Sequence, residues 1–563
     1  MAKIHSFKIS HYRGFEHLEQ TFPEENLIML IGRGDSGKTT LLKAIQCVLS
    51  PAWNLTFSDY DFYNLDTSVP IQIECSLIDI PPELMSENKY GFYLQYLKND
   101  GSITGDVLDE DVENRPILTI RLTVNDDLEP HWQVTTLRES QEDKEISAND
   151  RAKLNMFMVS DYIDNHFTYS EMSPLYALLR QNLDDKSQID KKLTELARQA
   201  FSSIDDNAQF DEFDQSLKDL ASTANVIGID VNNIKANLEY QDKTFTEGSI
   251  SLQIDKLPYR LHGKGSKRLL SLALQNLLTK EGGITLLDEL EQGLEPDRIL
   301  NLVRFLKKQS SVQVFLTTHS SYALVEADWK NVFLLRKGAS SMISFQEQDQ
   351  AILRLQPESF FARKVICCEG KTEQGVLRAL DECLDTDEGT GFTSKGIVVA
   401  NCKGGDKFYK NAQSFKSKGY ETAIFADNDV NKLKEKAEDA ENNDIKLWIW
   451  DEGRSLEQQV FCDLPWKSIV ELVTLLNKVR PELNIYNHIH VKDEAELLSV
   501  TEEGQIKLRQ DIGDKSKKQS WFKNIPGGEL IGTAIYCCLK NDTLDKETTL
   551  YKNIYSLIEW VKK

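Results

Sequence analysis

Hydrophobic and polar positions follow three rhythms along this chain. The run Leu27-Ile28-Met29-Leu30-Ile31 is apolar throughout; after a glycine-rich loop, Leu41, Leu42, Ala44 and Ile45 recur at helical spacing. Strand, loop and helix are expected there, in that order. Residues 70–80 and 116–124 alternate with period two (Ile71, Ile73, Cys75; Ile117, Thr119, Arg121) and read as strands with one solvated face. From about residue 148 to 240 the period lengthens. Leu175, Leu178, Leu179, Leu183, Ile189, Leu193, Leu196, Phe201, Phe210, Phe213, Leu217 and Leu220 lie at helical intervals among charged residues. A helical insertion is expected, serving either as a satellite layer or as a dimerisation arm, because its apolar faces need a cover. Apolar strands return at 284–287 and 312–316. After residue 355 they come at 364–368, 396–400, 421–426 and 446–450, each followed by a helix or turn. This alternation predicts an α/β architecture with parallel strands. The 563 residues exceed one hydrophobic core, and the change of rhythm divides them into domains at 1–355 and 356–563, the second with a C-terminal extension.

The loop after the first apolar strand is Gly32-Arg33-Gly34-Asp35-Ser36-Gly37-Lys38-Thr39, the G-x-x-x-x-G-K-[ST] spacing between a strand and a helix. Gly32, Gly34, Ser36 and Gly37 allow successive N–H groups to turn toward phosphates at a helix N-terminus. Lys38 reaches the β- and γ-phosphates, and Thr39, with Thr40 beside it, lies where Mg²⁺ is bound. ATP and Mg²⁺ are therefore expected cofactors. Gly265 and Ser266, in a Gly/Ser turn before the apolar helix 269–278, form a second candidate anion nest. The strand Ile284–Leu287 delivers Asp288 and Glu289, the first suited to hold Mg²⁺ and the second to polarise the attacking water. Gly293-Leu294-Glu295-Pro296 makes a turn after them. A further apolar strand ends in Thr317-Thr318-His319-Ser320, which places His319 where it can sense a γ-phosphate.

These elements occur in the order found in SMC-like ATP-binding cassettes, and most of residues 1–340 resembles their ATPase core. His11-Tyr12-Arg13-Gly14-Phe15 is similar to a segment of SMC-like and recombination-mediator ATPases. The resemblance implies two nucleotides sandwiched between two subunits, each site completed by the partner's Gly/Ser turn, and so a homodimer or higher assembly. The chain departs from the pattern at Leu290, where such proteins usually carry proline, and in a divergent signature turn. The acidic-aromatic loop Ser58-Asp59-Tyr60-Asp61-Phe62 has no role assigned by sequence.

Composition narrows the classes that remain. Hydrophobic residues make up 40% and charged residues 28%, as in globular proteins. No apolar stretch is long enough for a bilayer and Met1-Ala2-Lys3 opens no signal peptide, so a cytoplasmic protein is expected and a membrane transporter is not. Nine cysteines without a C-x-x-C pair, including Cys367-Cys368 and Cys537-Cys538, read as buried free thiols. A net charge of −23 argues against a uniformly basic nucleic-acid sheath but leaves local patches open.

The second domain has no phosphate loop. Its strands end in Glu369-Gly370-Lys371-Thr372-Glu373, in Asp427-Asn428-Asp429 and near Arg454-Ser455-Leu456-Glu457. Parallel strands joined by helices bring their carboxyl ends to one edge, so Glu369, Asp427 and Asp429 converge there. Carboxylates so close repel unless a hard cation such as Mg²⁺ or Mn²⁺ lies between them. A Glu-Gly strand end with a later D-x-D resembles the TOPRIM domain of topoisomerases, primases and nucleases. An ATP-binding cassette followed by TOPRIM resembles, over essentially the whole chain, the OLD (overcoming lysogenisation defect) nucleases. That resemblance implies a second metal position, matched here by Glu373, Ser455 and Glu457, and a late lysine, matched by Lys523. It implies a DNA endonuclease of antiphage defence, partnered by a helicase or by a reverse transcriptase with its noncoding nucleic acid. Lys515, Lys517 and Lys518 either steer DNA or form a solvated face; His488 and His490 are read as structural. The rival reading is an ATP-driven DNA clamp or recombination mediator whose TOPRIM domain binds without cutting. A topoisomerase would need a further tyrosine-bearing domain, for which little chain remains.

Overall fold

The structure, a computed structural model, describes residues 2–105, 112–138, 141–159, 164–168, 173–181, 214–229, 234–238, 250–254, 257–279, 282–403, 407–428, 440 and 442–563. The chain divides into two compact units, Met1–Gln350 and Ala351–Lys563. Among the described residues no helix is long and apolar enough to cross a membrane.

The first unit sets one sheet against another across the helix Lys38–Leu49. The six-stranded sheet runs Met156–Val159, Gly283–Leu287, Val312–Thr317, Leu27–Ile31, Val332–Leu334, Ile343–Ser344. All neighbours but the last pair are parallel. Its central strands are apolar at nearly every position because both faces are covered. The eight-stranded sheet is antiparallel and alternates instead. On Val112–Val124 the core face is Leu118, Ile120, Leu122 and Val124. The set Ile117, Thr119, Arg121 lies on the opposite face: Ile117 joins a small cluster with Ile78 and Leu97, and Thr119 is bonded to Ser76 and Gln95. The two sheets are tied by Gln313, whose side chain accepts from Ile4 N–H at 2.7 Å and donates to the Ile4 carbonyl at 3.1 Å, imitating a strand partner.

The expectation of helices over 148–240 needs correction at two points, the later being Ile234–Leu238, a strand paired antiparallel with Ile250–Ile254. Met156–Val159 is a strand, paired in parallel with Ile284–Leu287 on the edge of the sheet that carries the phosphate loop. Its four apolar residues are too few for a periodicity to distinguish strand from helix. Leu175, Leu178 and Leu179 lie buried on the helix Pro174–Gln181, and Leu217 and Leu220 on Asp214–Val226. The rest of that run, Leu183 through Phe213, and with it the dimerisation arm, lies outside the described residues.

The second unit holds a four-stranded, wholly parallel sheet in the order Ile397–Asn401, Lys364–Cys368, Glu421–Ala426, Lys446–Ile449. Helices Trp466–Val479, Glu502–Lys518, Ile525–Lys540 and Thr549–Lys562 complete its core. Two helices, Lys371–Glu388 and Ile525–Lys540, approach backbone to backbone along a glycine seam. A Cβ on Gly375 would lie 2.3 Å from the Ile525 carbonyl oxygen, one on Gly528 2.1 Å from that of Thr372, and one on Gly532 2.6 Å from that of Val376. Farther along, Lys540 pairs with Asp387. Of the paired cysteines, Cys367, Cys368 and Cys538 are buried, but Cys537 is exposed, because it lies on the outward side of its helix.

Gly528→Ala is expected to force this seam apart, at a cost of about 1–3 kcal/mol. The check is the thermal or denaturant midpoint of the second unit, which should fall; an unchanged midpoint would show that the helices have slack.

Candidate active sites

The loop after Leu27–Ile31 adopts a backbone that needs glycine at two places. Gly32 has φ +153° and Gly37 φ +98°; a Cβ would lie 2.4 Å from the Leu335 carbonyl oxygen at the first and 2.7 Å from the Phe15 ring at the second. Phe15 ends the turn His11–Phe15, which is fixed by Arg13: its Nε donates to Asp61 Oδ1 at 2.8 Å and its backbone N–H to the Asp61 carbonyl at 2.7 Å. Asp61 is itself held by Ser58 N–H at 2.9 Å. The acidic-aromatic loop thus anchors the turn that packs on the phosphate loop.

Lys38 opens the helix Lys38–Leu49, whose N-terminus faces the loop. Its buried ammonium donates to the carbonyls of Gly32 and Arg33, each at 2.9 Å. Burial lowers its pKa, against the opposing pull of Asp288, Glu291 and Glu289. Thr39 Oγ1 donates to Asp288 Oδ1 at 3.1 Å, bringing the expected Mg²⁺-binding pair together. Gly34 and Ser36 belong to the same loop, and Thr40 to the first turn of the helix.

The next strand ends converge on these groups. Thr317 Oγ1 donates to Asp288 Oδ1 at 2.7 Å and accepts from Glu289 N–H at 2.7 Å. Glu289 is exposed and sits at φ +49°, a left-handed conformation uncommon for a residue with a side chain. Leu290 is fully buried and its N–H donates to the Thr317 carbonyl at 2.9 Å. Proline has no N–H to give, so the departure at this position supplies a bond that the usual residue lacks. His319 lies at the same edge; partial desolvation first, and then the charge of Lys38, lowers its pKa.

Glu291 and Thr318 were not singled out by sequence, yet they belong to this edge. The Glu291 carboxylate accepts from Thr318 Oγ1 and from His319 N–H, both at 2.6 Å. The available signal was a third carboxylate two residues beyond Glu289. Gly265 and Ser266 lie in the first turn of Lys264–Leu278, a helix capped by Gly263. A Cβ on Gly265 would lie 2.0 Å from the Gly293 carbonyl oxygen, so the Gly/Ser turn and the Gly293–Pro296 turn touch. Pro296 then starts the helix Pro296–Lys307.

In the second unit the parallel strands bring four carboxylates into one electrostatic neighbourhood. Glu373 lies in the first turn of Lys371–Glu388 and is buried; burial first, then Glu457 and Glu369, raises its pKa from 4.5 to about 7. Asp427 is pushed well above the carboxylate range by burial, Glu373, Glu457 and Glu369, while Leu456 N–H donates to its Oδ1 at 2.7 Å. Ser455 caps the helix Leu456–Asp463 and donates to Glu457 Oε2 at 3.0 Å. Thr372 Oγ1 donates to the Phe522 carbonyl at 3.1 Å, which brings the exposed Lys523 beside the helix turn that carries Glu373. Asp429 lies outside the described residues. Among the described residues no group of three or more His, Cys, Asp or Glu side chains is placed to hold a metal ion. The donor chemistry is still of the type that suits a hard divalent cation: oxygen ligands only, with Glu373, Ser455 and Glu457 buried and Glu369 and Asp427 half-buried. Lys515 is engaged with Asp511 and the His488 carbonyl, and His488 with Gln519.

Two family models match the chain. Residues 27–326 match the AAA domain, putative AbiEii toxin, type IV toxin–antitoxin system model. Residues 360–429 match the overcoming lysogenization defect protein-like TOPRIM domain. No curated protein matches. Among solved structures, the chain is similar to an Smc head domain with an extended coiled coil bound to the C-terminal domain of ScpA derived from Pyrococcus furiosus, at 14% identity over 63% of this chain and 99% of that one, TM-score 0.38. It is also similar to the SMC head domain from Thermotoga maritima (13%, 61% and 99%, TM-score 0.30) and to the recombination mediator RecF with ATP (13%, 61% and 99%, TM-score 0.35).

The raised carboxylates give a signed dependence on pH. With a pKa moved from 4.5 to about 7, Glu373 holds a proton in the folded chain that the unfolded chain has released, so its contribution to stability is present at low pH and is lost as pH rises through 7. A divalent cation competes with that proton. Mg²⁺ or Mn²⁺ is therefore expected to raise the melting midpoint by several degrees near about pH 8 and by little near about pH 5.5. Equal shifts at both, or the same shifts in Asp427→Asn, would count against a metal site at this edge. In the first unit, Glu289→Gln is expected to bind ATP normally but hydrolyse it more slowly by about 100-fold or more. Single-turnover hydrolysis and nucleotide binding decide, and near-parental hydrolysis would remove the role of Glu289.

Proposed function

The chain belongs to the AAA-domain family defined by its longer match and, with its TOPRIM domain, to the OLD-like ATPase–TOPRIM proteins, and on that premise we propose that it is an ATP-hydrolysing, divalent-metal-dependent DNA endonuclease. The observation that carries the proposal is the carboxylate edge of the second unit, where the charges of Glu369 and Glu457 help to raise the proton affinity of Glu373 and Asp427. A divalent cation bound there polarises a phosphodiester oxygen and lowers the pKa of water. The chain's own residues do the rest. Asp427, oriented by Leu456 N–H, Glu369, Glu373, Ser455 and Glu457 hold the cation, joined by Asp429. Lys523 offsets negative charge at the phosphate.

In the ATPase unit, Gly32, Gly34, Ser36, Gly37, Lys38, Thr39 and Thr40 bind the nucleotide. Asp288 supports its Mg²⁺, Glu289 orients water and His319 reads the γ-phosphate. Gly265 and Ser266 serve the nucleotide of a second copy, so the working form is a homodimer or larger assembly. We place the protein in the cytoplasm and, following its family, in antiphage defence beside a helicase or a reverse transcriptase with noncoding nucleic acid.

The two centres are expected to separate by mutation. Asp427→Ala should abolish metal-dependent DNA cleavage, by about 100-fold or more, and leave ATP hydrolysis within about twofold. Lys38→Ala should lose ATP turnover, and its cleavage rate gives the sign of coupling: faster cutting means that ATP restrains the nuclease, lost cutting that it licenses it. Supercoiled and linear DNA, with and without Mg²⁺ or Mn²⁺ and ATP, serve as substrates, after each variant is shown to be folded. Undiminished cutting by Asp427→Ala overturns the assignment; DNA binding without cuts by the parent favours a clamp.

A further inference from the structure

One turn, Asp288–Gly293, touches three other parts of the ATPase unit. Asp288 meets the phosphate loop through Thr39, and Gln292 Oε1 accepts from Arg268 Nη1 of the Gly/Ser-turn helix at 2.9 Å. Between them, Glu291 spends both carboxylate oxygens on the segment that carries His319. Oε2 accepts from Thr318 Oγ1 and Oε1 from His319 N–H, each at 2.6 Å. Thr318 Oγ1 in turn accepts from Ser320 N–H at 2.9 Å. The backbone on both sides of His319 is thereby tied to one carboxylate.

These bonds are not needed to hold the sheet. The last paired residues of the two strands are Leu287 and Leu316, and Thr317 already joins the strand ends through Asp288, Glu289 and Leu290. The Glu291 contacts come after all of them, where the strand has become a loop. Two charge-assisted hydrogen bonds to a half-buried carboxylate restrain that loop more firmly than neutral bonds would. Their effect is to fix the His319 Cα, and with it the origin of the imidazole, relative to Asp288 and Glu289.

We propose that Glu291 is a positioning residue for ATP hydrolysis, which acts through His319 and does not itself touch the nucleotide. This rests on the ATPase reading above. Removing the carboxylate frees the Thr318–Ser320 segment while the phosphate loop keeps its grip, so turnover falls and binding does not.

The test compares Glu291→Ala, Glu291→Gln, Thr318→Val and His319→Ala, and the double variant Glu291→Ala/His319→Ala, in the full chain. Glu291→Ala is expected to lower kcat by about 10–100-fold with KM and ATP affinity within about threefold. Glu291→Gln should recover most of that rate, because its amide oxygen still accepts from His319 N–H. Thr318→Val, which removes one of the two bonds, should fall between and decides the matter should the alanine variant fail to fold. The double variant should be no slower than His319→Ala alone, within about twofold, since the two residues act as a unit. Independent, multiplicative losses, a parental rate in Glu291→Ala and Thr318→Val, or lost ATP binding would each overturn the proposal. A parent that binds ATP without turning it over strikes the ATPase reading itself, before any variant is compared.

Discussion

The hydrogen bond from Thr317 to Asp288 is the point on which the ATPase unit turns. It joins the carboxyl ends of two parallel strands at the position where a hydroxyl, two carboxylates and a lysine must face one small volume. The ladder between these two strands ends at Leu287 and Leu316, just before it, so side chains and N–H groups beyond the ladder take over the work of alignment. Thr317 suits that place because one hydroxyl both donates and accepts: it gives its proton to Asp288 and receives one from the backbone of Glu289. The left-handed backbone of Glu289 is then held by bonds on either side, the kind of support that a strained residue at a working site requires.

The second unit solves a different electrostatic problem with the same geometry. Parallel strands again present their carboxyl ends at one edge, but among the described residues no lysine lies buried among the carboxylates to offset them. The result is a set of acids that retain protons well above the usual range. Such an arrangement destabilises the empty, ionised fold and stabilises whatever positive charge enters it. In the first unit the partner for negative charge is built into the chain as Lys38.

Much of this was legible in the sequence, for identifiable reasons. Gly32 through Thr39, Asp288, Glu289 and His319 follow strands that are buried throughout and apolar at most positions, and such a strand announces its end sharply. Glu373 and Glu457 were harder, since each lies on a helix just beyond the sheet edge, where only family resemblance singled it out. Glu291 escaped because its partners are a backbone N–H and a threonine, groups that leave no charge pattern to read. Met156–Val159 escaped because four apolar residues beside a helical stretch carry no decisive period. The alternation over 116–124 was legible as a strand, but not which set faces the core, because Ile117, apolar and buried, serves a small cluster apart from Leu118, Ile120, Leu122 and Val124.

The glycine seam between Lys371–Glu388 and Ile525–Lys540 has a consequence for how such a chain diverges. Gly375 meets Gly528 and Ala379 meets Gly532, and the Thr372–Phe522 bond sits at the head of this contact. Where Lys523 stands is thus set by the seam together with its own neighbours, Phe522 packed beside Phe461 and the Trp521 carbonyl accepting from Arg480. Within the interval between the two helices the strand end at Asp427 and the helix start at Ser455–Glu457 belong to the site, so only the connections away from them can lengthen, shorten or drift without disturbing it. A lineage can therefore vary those connections while the seam helps to keep Lys523 in register with Glu373.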